Sequence, residues 1–144
     1  MPPRVALMGK VAELNADLFA DVQDAGWTVL PPLPWPPSVN DFKIPHPKVR
    51  GVYFLSKRAK QFREDAQWLL CQAPKYGTAE VDLEIDLHPP DCRRRDGDNW
   101  NKAIWDALEA AGVIDDDSQI REYRVRKCGI VPKGAVIVRV RVSQ

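Results

Sequence analysis

Glu80-Val81-Asp82-Leu83-Glu84-Ile85-Asp86-Leu87-His88 alternates without a break. Val81, Leu83, Ile85 and Leu87 fall on one side, and Glu80, Asp82, Glu84, Asp86 and His88 on the other. A period of two residues over this length predicts a half-buried strand whose acidic side is a solvated sheet face. Pro89 and Pro90 end its ladder, because proline has no N–H to donate. The loop Asp91-Cys92-Arg93-Arg94-Arg95-Asp96-Gly97 then leads into a helix over about residues 98–111. Trp100, Ile104, Ala107, Leu108 and Ala111 stand at core spacing on that helix, and Gly112 stands just past its end. Two strands are expected beyond it, over about 120–128 and 135–142, the second alternating Val136, Val138, Val140 and Val142. The Pro132-Lys133-Gly134 turn between them predicts an antiparallel hairpin.

Toward the N-terminus, Ser56 is placed to cap a helix over about 57–72 with Ala59, Phe62, Ala66, Leu69 and Leu70 on its buried face. Lys57, Arg58, Lys60 and Arg63 load the first turns of that helix with positive charge, which opposes the helix dipole. A partner anion would remove the conflict, and a phosphate backbone is one candidate. Residues 38–55, rich in Lys, Pro and Arg, read as a loop. Before them, Val29-Leu30-Pro31-Pro32-Leu33-Pro34-Trp35-Pro36-Pro37 excludes helix and allows at most an edge strand. Val11, Leu14, Leu18 and Val22 predict an amphipathic helix over 10–25, ended by Gly26.

The chain has 144 residues, 44% hydrophobic and 28% charged, which suits one globular domain with its own core. No apolar run approaches a membrane span, and the early acids Glu13, Asp17, Asp21 and Asp24 argue against a signal peptide. Three scattered cysteines, Cys71, Cys92 and Cys128, without a CxxC pair, fit neither a disulfide framework nor a zinc ribbon. A reduced, cytoplasmic setting is therefore expected. The net charge of +1 is uninformative, but its distribution is not. Asp41 to Arg63 holds seven bases and one acid, Ser118 to Gln144 is again strongly basic, and Glu80 to Asp91 has five acids and no Lys or Arg. Segregated charge of this kind can build a basic face on a near-neutral protein, although a solvated surface would show it too.

The chemistry concentrates in Arg93-Arg94-Arg95-Asp96-Gly97-Asp98-Asn99, with Lys102 one turn into the helix and Asp115-Asp116-Asp117 after it. Two carboxylates flanking a glycine can converge on one cation if the backbone turns tightly there. Hard divalent ions such as Mg²⁺ prefer carboxylate oxygen and keep waters for a substrate phosphate. A third carboxylate would complete the site if the chain, after a helix of about 20 Å, came back along the next segment. The adjacent arginines can hold phosphates while the metal neutralises the acids. Lys102 can stabilise phosphorane charge or shift the pKa of a bound water. Each feature also has an ordinary reading: Asp98 as a helix cap, and Lys102 in an i,i+4 ion pair with Asp98 or Asp106.

Taken together the motifs resemble one family. Leu33-Pro34-Trp35-Pro36-Pro37-Ser38-Val39-Asn40 resembles the N-terminal signature of the RusA-type Holliday junction resolvases, the crossover junction endodeoxyribonucleases. Arg95-Asp96-Gly97-Asp98-Asn99-Trp100-Asn101-Lys102 resembles their RDxDNxxK segment. Asp106-Ala107-Leu108 and Gly112-Val113-Ile114 continue the pattern, Asp116-Asp117-Ser118-Gln119 resembles the DDxQ element, and Lys127 also matches. The resemblance covers about residues 33–142. It implies an α+β subunit, with a small mixed β-sheet packed with two main helices, and a homodimer; the helix over 10–25 would be an extra. Residues 1–30 then read as an N-terminal helical extension and 31–144 as the endonuclease domain.

The same resemblance implies Mg²⁺-dependent (Mn²⁺ as an alternative) hydrolysis at paired, symmetric positions across a four-way junction or related branched DNA, in recombination and repair. Asp96, Asp98 and Asp117 would be the metal ligands, with Asp116 an alternative to Asp117, and Lys102 would join them as catalytic. Arg93, Arg94, Arg95 and Asn99 would contact DNA or support the site. The basic residues Lys57, Arg58, Lys60 and Lys127 join them as candidate DNA contacts. His88 has an open role, and Trp105 reads as core, dimer contact or DNA wedge. A branched-DNA-binding protein without catalysis is the competing reading. A nucleotide-sugar transferase, whose DxD binds a metal-diphosphate, is disfavoured by the short chain and the lack of a glycine-rich phosphate loop.

Overall fold

The structure is a computed structural model and describes residues 26–144. The helix expected over 10–25, and most of the extension assigned to 1–30, lie outside the described residues. The elements are β1 (Thr28–Val29), β2 (Lys43–Pro45), β3 (Tyr53–Leu55), α1 (Lys57–Leu69), β4 (Val81–His88), α2 (Asn101–Ala110), β5 (Ile120–Lys127) and β6 (Ala135–Val142). Short 3-10 turns cover Val39–Asp41, Gly97–Trp100 and Asp117–Gln119. A four-stranded mixed sheet has the order β1-β6-β4-β5, with β4 parallel to β5 and antiparallel to β6. The fold is thus α+β, a small mixed sheet with two helices. No helix among the described residues is long and apolar enough to cross a membrane.

Both helices form where cap chemistry and period predict them. Ser56 Oγ accepts the Ala59 N–H at 3.1 Å, and Ala59, Phe62, Ala66 and Leu70 are buried. At the far end of α2, Gly112 takes φ +77°, and the N–H groups of Gly112 and Val113 return to the carbonyls of Glu109 and Leu108. That paired return is a Schellman stop, and it needs a residue tolerant of positive φ. Ile104, Ala107 and Leu108 pack with Val81, Leu83, Ile85 and Leu87 of β4 and Val136, Val138 and Val140 of β6 in one core. Arg63 joins the helices through a two-pronged bond to Asp106, at 2.9 and 2.8 Å.

The proline run behaves as an edge. Leu30 and Leu33 donate to Val138 and Val136 of β6, while Pro31 and Pro32 lie between them with no N–H to offer. Residues 38–55 are more ordered than a loop: β2 and β3 pair as a separate antiparallel hairpin, Lys43 opposite Leu55 and Pro45 opposite Tyr53.

Two expectations about the sheet are overturned. The strands after α2 are not a hairpin, because β4 lies between them and pairs with both. The Pro132-Lys133-Gly134 turn instead carries the chain past the end of β4, where Val131 donates to the Pro89 carbonyl. Consequently β4 is a central strand, buried on both faces, and its acidic side is not solvated. Asp82 and Asp86 are buried and held by arginines of the neighbouring strands: Arg141 on Asp82 at 3.2 Å, and Arg139 and Arg126 on Asp86 at 2.7 and 2.8 Å. Carboxylates removed from water require such partners. The signal was present as the matching alternation of Arg124 and Arg126 in β5 and Arg139 and Arg141 in β6.

Candidate active site

The loop after β4 is built around one arginine. Asp91 Oδ1 accepts from the Arg93 N–H at 2.9 Å and from Arg95 Nη1 at 2.7 Å. Those bonds, the Arg95 side chain first, hold the Asp91 carboxyl down at about 2. The Arg95 guanidinium lies 5.6 Å from the centre of the Trp35 ring, which packs on Trp100 at 4.9 Å. The Lys127 ammonium donates to the Arg95 carbonyl and ties the loop to the end of β5. Arg95 is therefore turned inward and orders the loop, and the proline motif supplies its platform through Trp35. Arg93 and Arg94 remain exposed on the rim of a small open cleft of about 130 Å³, which Trp35, Trp100 and Lys127 also line. His88 Nδ1 lies 2.9 Å from the Gly129 carbonyl, which can only accept, so Nδ1 carries the proton and anchors the strand end.

Asp96 and Asp98 emerge from this ordered loop at the entry to α2. Both are exposed, and neither side chain makes a hydrogen bond or ion pair among the described residues. Asp98 is inside the 3-10 turn and Asp96 precedes it without capping, so the cap reading of Asp98 falls away. Gly97 does not take a positive φ, so the turn is made without the conformational freedom expected of it. It lies instead against the Lys127 and Val125 side chains of β5. Lys102 stands exposed one turn on, and the Asp106 proposed as its surface partner is occupied by Arg63. Two carboxylates with uncommitted oxygens in water are donors of the kind a hard divalent cation takes while keeping part of its hydration.

The remaining candidate ligands are elsewhere. Asp117 begins the 3-10 turn that precedes β5. Its N–H donates to Glu109 Oε1 at 2.6 Å, and carboxylate oxygens of Glu109, Asp116 and Asp117 lie within 4.8 Å of one another. Asp116 caps that turn, reciprocated by Gln119, whose amide also bonds the Gly77 and Ala79 carbonyls. Because β5 is parallel to β4, its start lies at the opposite end of the sheet from the β4–α2 loop. Gly97 faces Val125 and Lys127, so most of the length of β5, roughly 20 Å at the usual rise per residue, separates the two groups. Within one chain Asp96, Asp98 and Lys102 follow one another along the loop and first turn of α2, and the carboxylates of Glu109, Asp116 and Asp117 cluster separately before β5. The expected return segment exists as β5, but Asp117 stands before it rather than at its end. Glu109 was not singled out from sequence, although it stands on the last turn of α2.

Around the first group lies a basic rim. The Val39–Asp41 turn contacts both the Gly97–Trp100 turn and α2, which places the β2–β3 hairpin beside the site. The hairpin, its turn and the start of α1 expose Lys43, Lys48, Arg50, Lys57, Arg58 and Lys60, with Tyr53 and Phe54 exposed among them. Among the described residues Arg58 makes only an open surface pair with Asp41 at 3.5 Å. Trp105 is a contact between α2 and β5, set edge-on to Tyr123 with ring centres 5.0 Å apart.

A family profile described as "Endodeoxyribonuclease RusA" matches residues 34–141, which include every candidate residue above. Among curated relatives, the crossover junction endodeoxyribonuclease RusA of Escherichia coli (strain K12) is 38% identical over 104 residues, 71% of this chain and 84% of that protein. The protein of that name from Shigella sonnei (strain Ss046) shows the same identity and coverage. The one from Enterobacteria phage HK97 is 32% identical over 111 residues, 75% of this chain and 89% of that protein.

Proposed function

Since the chain belongs to the RusA family of endodeoxyribonucleases, we propose that it resolves four-way DNA junctions, and related branched DNA, by paired symmetric nicks. The chain is an enzyme, a nuclease that hydrolyses DNA phosphodiester bonds. The finer reading is a cytoplasmic, Mg²⁺-dependent homodimer acting in recombination and repair. Its main support is the meeting of two uncommitted carboxylates, Asp96 and Asp98, with Lys102 and two exposed arginines at one ordered loop–helix junction.

Each group has a task. Asp96 and Asp98 would hold the cation, and a bound Mg²⁺ supplies charge neutralisation at the scissile phosphate and a more acidic water. Arg94, and Arg93, which makes only a long 3.8 Å surface pair with Asp91 among the described residues, contact the flanking phosphates from the cleft rim. Arg95, bound to Asp91 and stacked on Trp35, fixes the loop that carries them. Lys102 places a positive charge where negative charge develops in the transition state, so its loss lowers the rate more than the affinity. The basic hairpin and the start of α1 extend the phosphate track.

The test is a labelled four-way junction incubated with the protein, with and without Mg²⁺. Symmetric paired nicks only with Mg²⁺ are expected. A retarded band without cutting would favour the non-catalytic branched-DNA-binding reading. Affinity should also fall steeply with salt, since each phosphate contact releases counterions. Arg94→Ala and Lys57→Ala should each lower the log–log salt slope by about 1. Unchanged slopes in both variants would remove this face from the DNA path.

A further inference from the structure

The two helices use one side of the sheet, where Ile104, Ala107 and Leu108 share a core with Leu83, Ile85 and Val138. Alternation puts Asp86, His88, Ile137 and Arg139 on the other side. That side is nonetheless shut off from water over β4 and β6: Ile137 is 0% exposed, Arg139 2%, Asp86 2% and His88 6%. Over the outer strand β5 the same side is open, and Glu122 and Arg124 are exposed. The buried polar groups are also underused. Arg139 Nη2 bonds Asp86, but Arg139 Nε and Nη1 and His88 Nε2 make no hydrogen bond among the described residues. Asp86 is shared between Arg139 and Arg126, so this buried group carries excess positive charge. A buried guanidinium with spare donors calls for a further acceptor.

The chain arrives on this same side. In the antiparallel β1–β6 pair Val29 stands opposite Arg139 and Thr28 opposite Val140. Residues directly opposite share a face, so Val29 lies on the Arg139 side. Trp27, two residues earlier, returns to that side by alternation, and its ring centre is 4.3 Å from the Arg141 guanidinium. Just before it, Gly26 takes φ +77°, the conformation in which a helix commonly ends and the chain turns away.

We propose that the amphipathic segment 10–25 covers this second side of the sheet, docking as a helix along β6 with Leu14 and Leu18 against Ile137 and the Asp21 carboxylate at Arg139. The lengths agree: a helix over 10–25 spans about 24 Å, and the eight residues of β6 about 26 Å. The register follows from the point of entry. Arg139 lies about 7 Å beyond Arg141 along β6, which is four to five residues of helix counted back from Gly26. That height falls at Asp21. Among Glu13, Asp17, Asp21 and Asp24, Asp21 also stands closest to the stripe of Leu14, Leu18 and Val22, one turn from Leu18 and beside Val22. The segment therefore brings apolar cover for Ile137 and the missing acceptor for Arg139 in one element, and leaves β5 and the Asp96–Asp98 loop uncovered.

The unaltered full chain gives the first test, which is independent of catalysis. Methyl groups of Ile137 should show nuclear Overhauser contacts to those of Leu14 and Leu18. In a mixture of isotope-labelled and unlabelled chains those contacts should persist within single chains. Their absence would overturn the docking. Contacts found only between chains would overturn it too, since a second copy would then be the cover.

Thiol labelling of Ile137→Cys, in a chain whose Cys71, Cys92 and Cys128 are replaced by serine, gives the second. The buried thiol should react slowly, through local opening of its cover. Leu14→Asp with Leu18→Asp should speed labelling by more than about ten-fold, whereas Ala16→Asp with Ala20→Asp, off the stripe, should not. Asp21→Ala should speed it about ten-fold, the effect of one hydrogen bond to a charged group, and Asp24→Ala should leave it unchanged. Labelling that stays slow when Leu14 and Leu18 are both aspartate would overturn the docking. Equal effects of Asp21→Ala and Asp24→Ala would overturn the assignment of Asp21 to Arg139.

Discussion

Asp98→Asn should lower junction cleavage by two to three orders of magnitude, about 3–4 kcal/mol of transition-state stabilisation, while junction binding survives or tightens. The substitution nearly keeps the shape of the side chain and removes the charge that would hold a divalent cation. Because the Asp98 carboxylate has no bond within the chain among the described residues, its loss should cost the fold little. Binding should not suffer either, since a negative charge beside the exposed Arg93 and Arg94 repels phosphate. The same is expected of Asp96→Asn. Single-turnover cleavage in Mg²⁺, paired with binding measured in chelator, separates the two effects. Undiminished cutting by either variant would defeat the metal assignment.

Asp86→Ala should be the most destabilising single substitution on the sheet, with a loss of about 3–5 kcal/mol. Asp86 and Arg139 are both almost wholly buried, 2.7 Å apart, and Asp86 is the one carboxylate within ion-pair distance of Arg139 among the described residues. Removing it strands a guanidinium in the sheet, and the cost is a large share of the roughly 5–15 kcal/mol that holds a domain together. Urea unfolding at neutral pH measures it, and a loss below about 1 kcal/mol would show that the pair is not a keystone.

Acid should act on the same pair. Burial raises the Asp86 carboxyl, but hydrogen bonds from Arg139 and Arg126, with their charges, outweigh it and hold the pKa below its usual value. A carboxyl depressed in the folded state contributes stability that is complete above its unfolded pKa, about 3.9, and disappears as pH falls through the folded value. The wild type should therefore lose stability below about pH 4, and Asp86→Asn should lose less over the same interval.

The elements themselves were legible because their causes are local. A two-residue period wrote β4 and β6, Ser56 and Gly112 marked helix ends, and the proline run excluded everything but an edge. The arginine–aspartate loop and its lysine were legible for the same reason, since Asp96, Asp98 and Lys102 are neighbours on one loop and one helical turn. Their order together with Asp116-Asp117-Ser118-Gln119 was enough to indicate the family, which the matched profile and relatives establish.

Relations between distant segments were decided only in three dimensions. The pattern of Val81 to Leu87 specifies a strand but not its neighbours, and once β4 sits between β5 and β6 its acidic side becomes a buried row paired with arginines. Period two describes one chain's faces, whereas burial depends on what covers them. Likewise the sequence placed Asp117 after a helix, and only the direction of β5 shows which end of the sheet it occupies. A helix crossing between parallel strands starts both at the same end, and that rule of chain path separates Asp117 from Asp98.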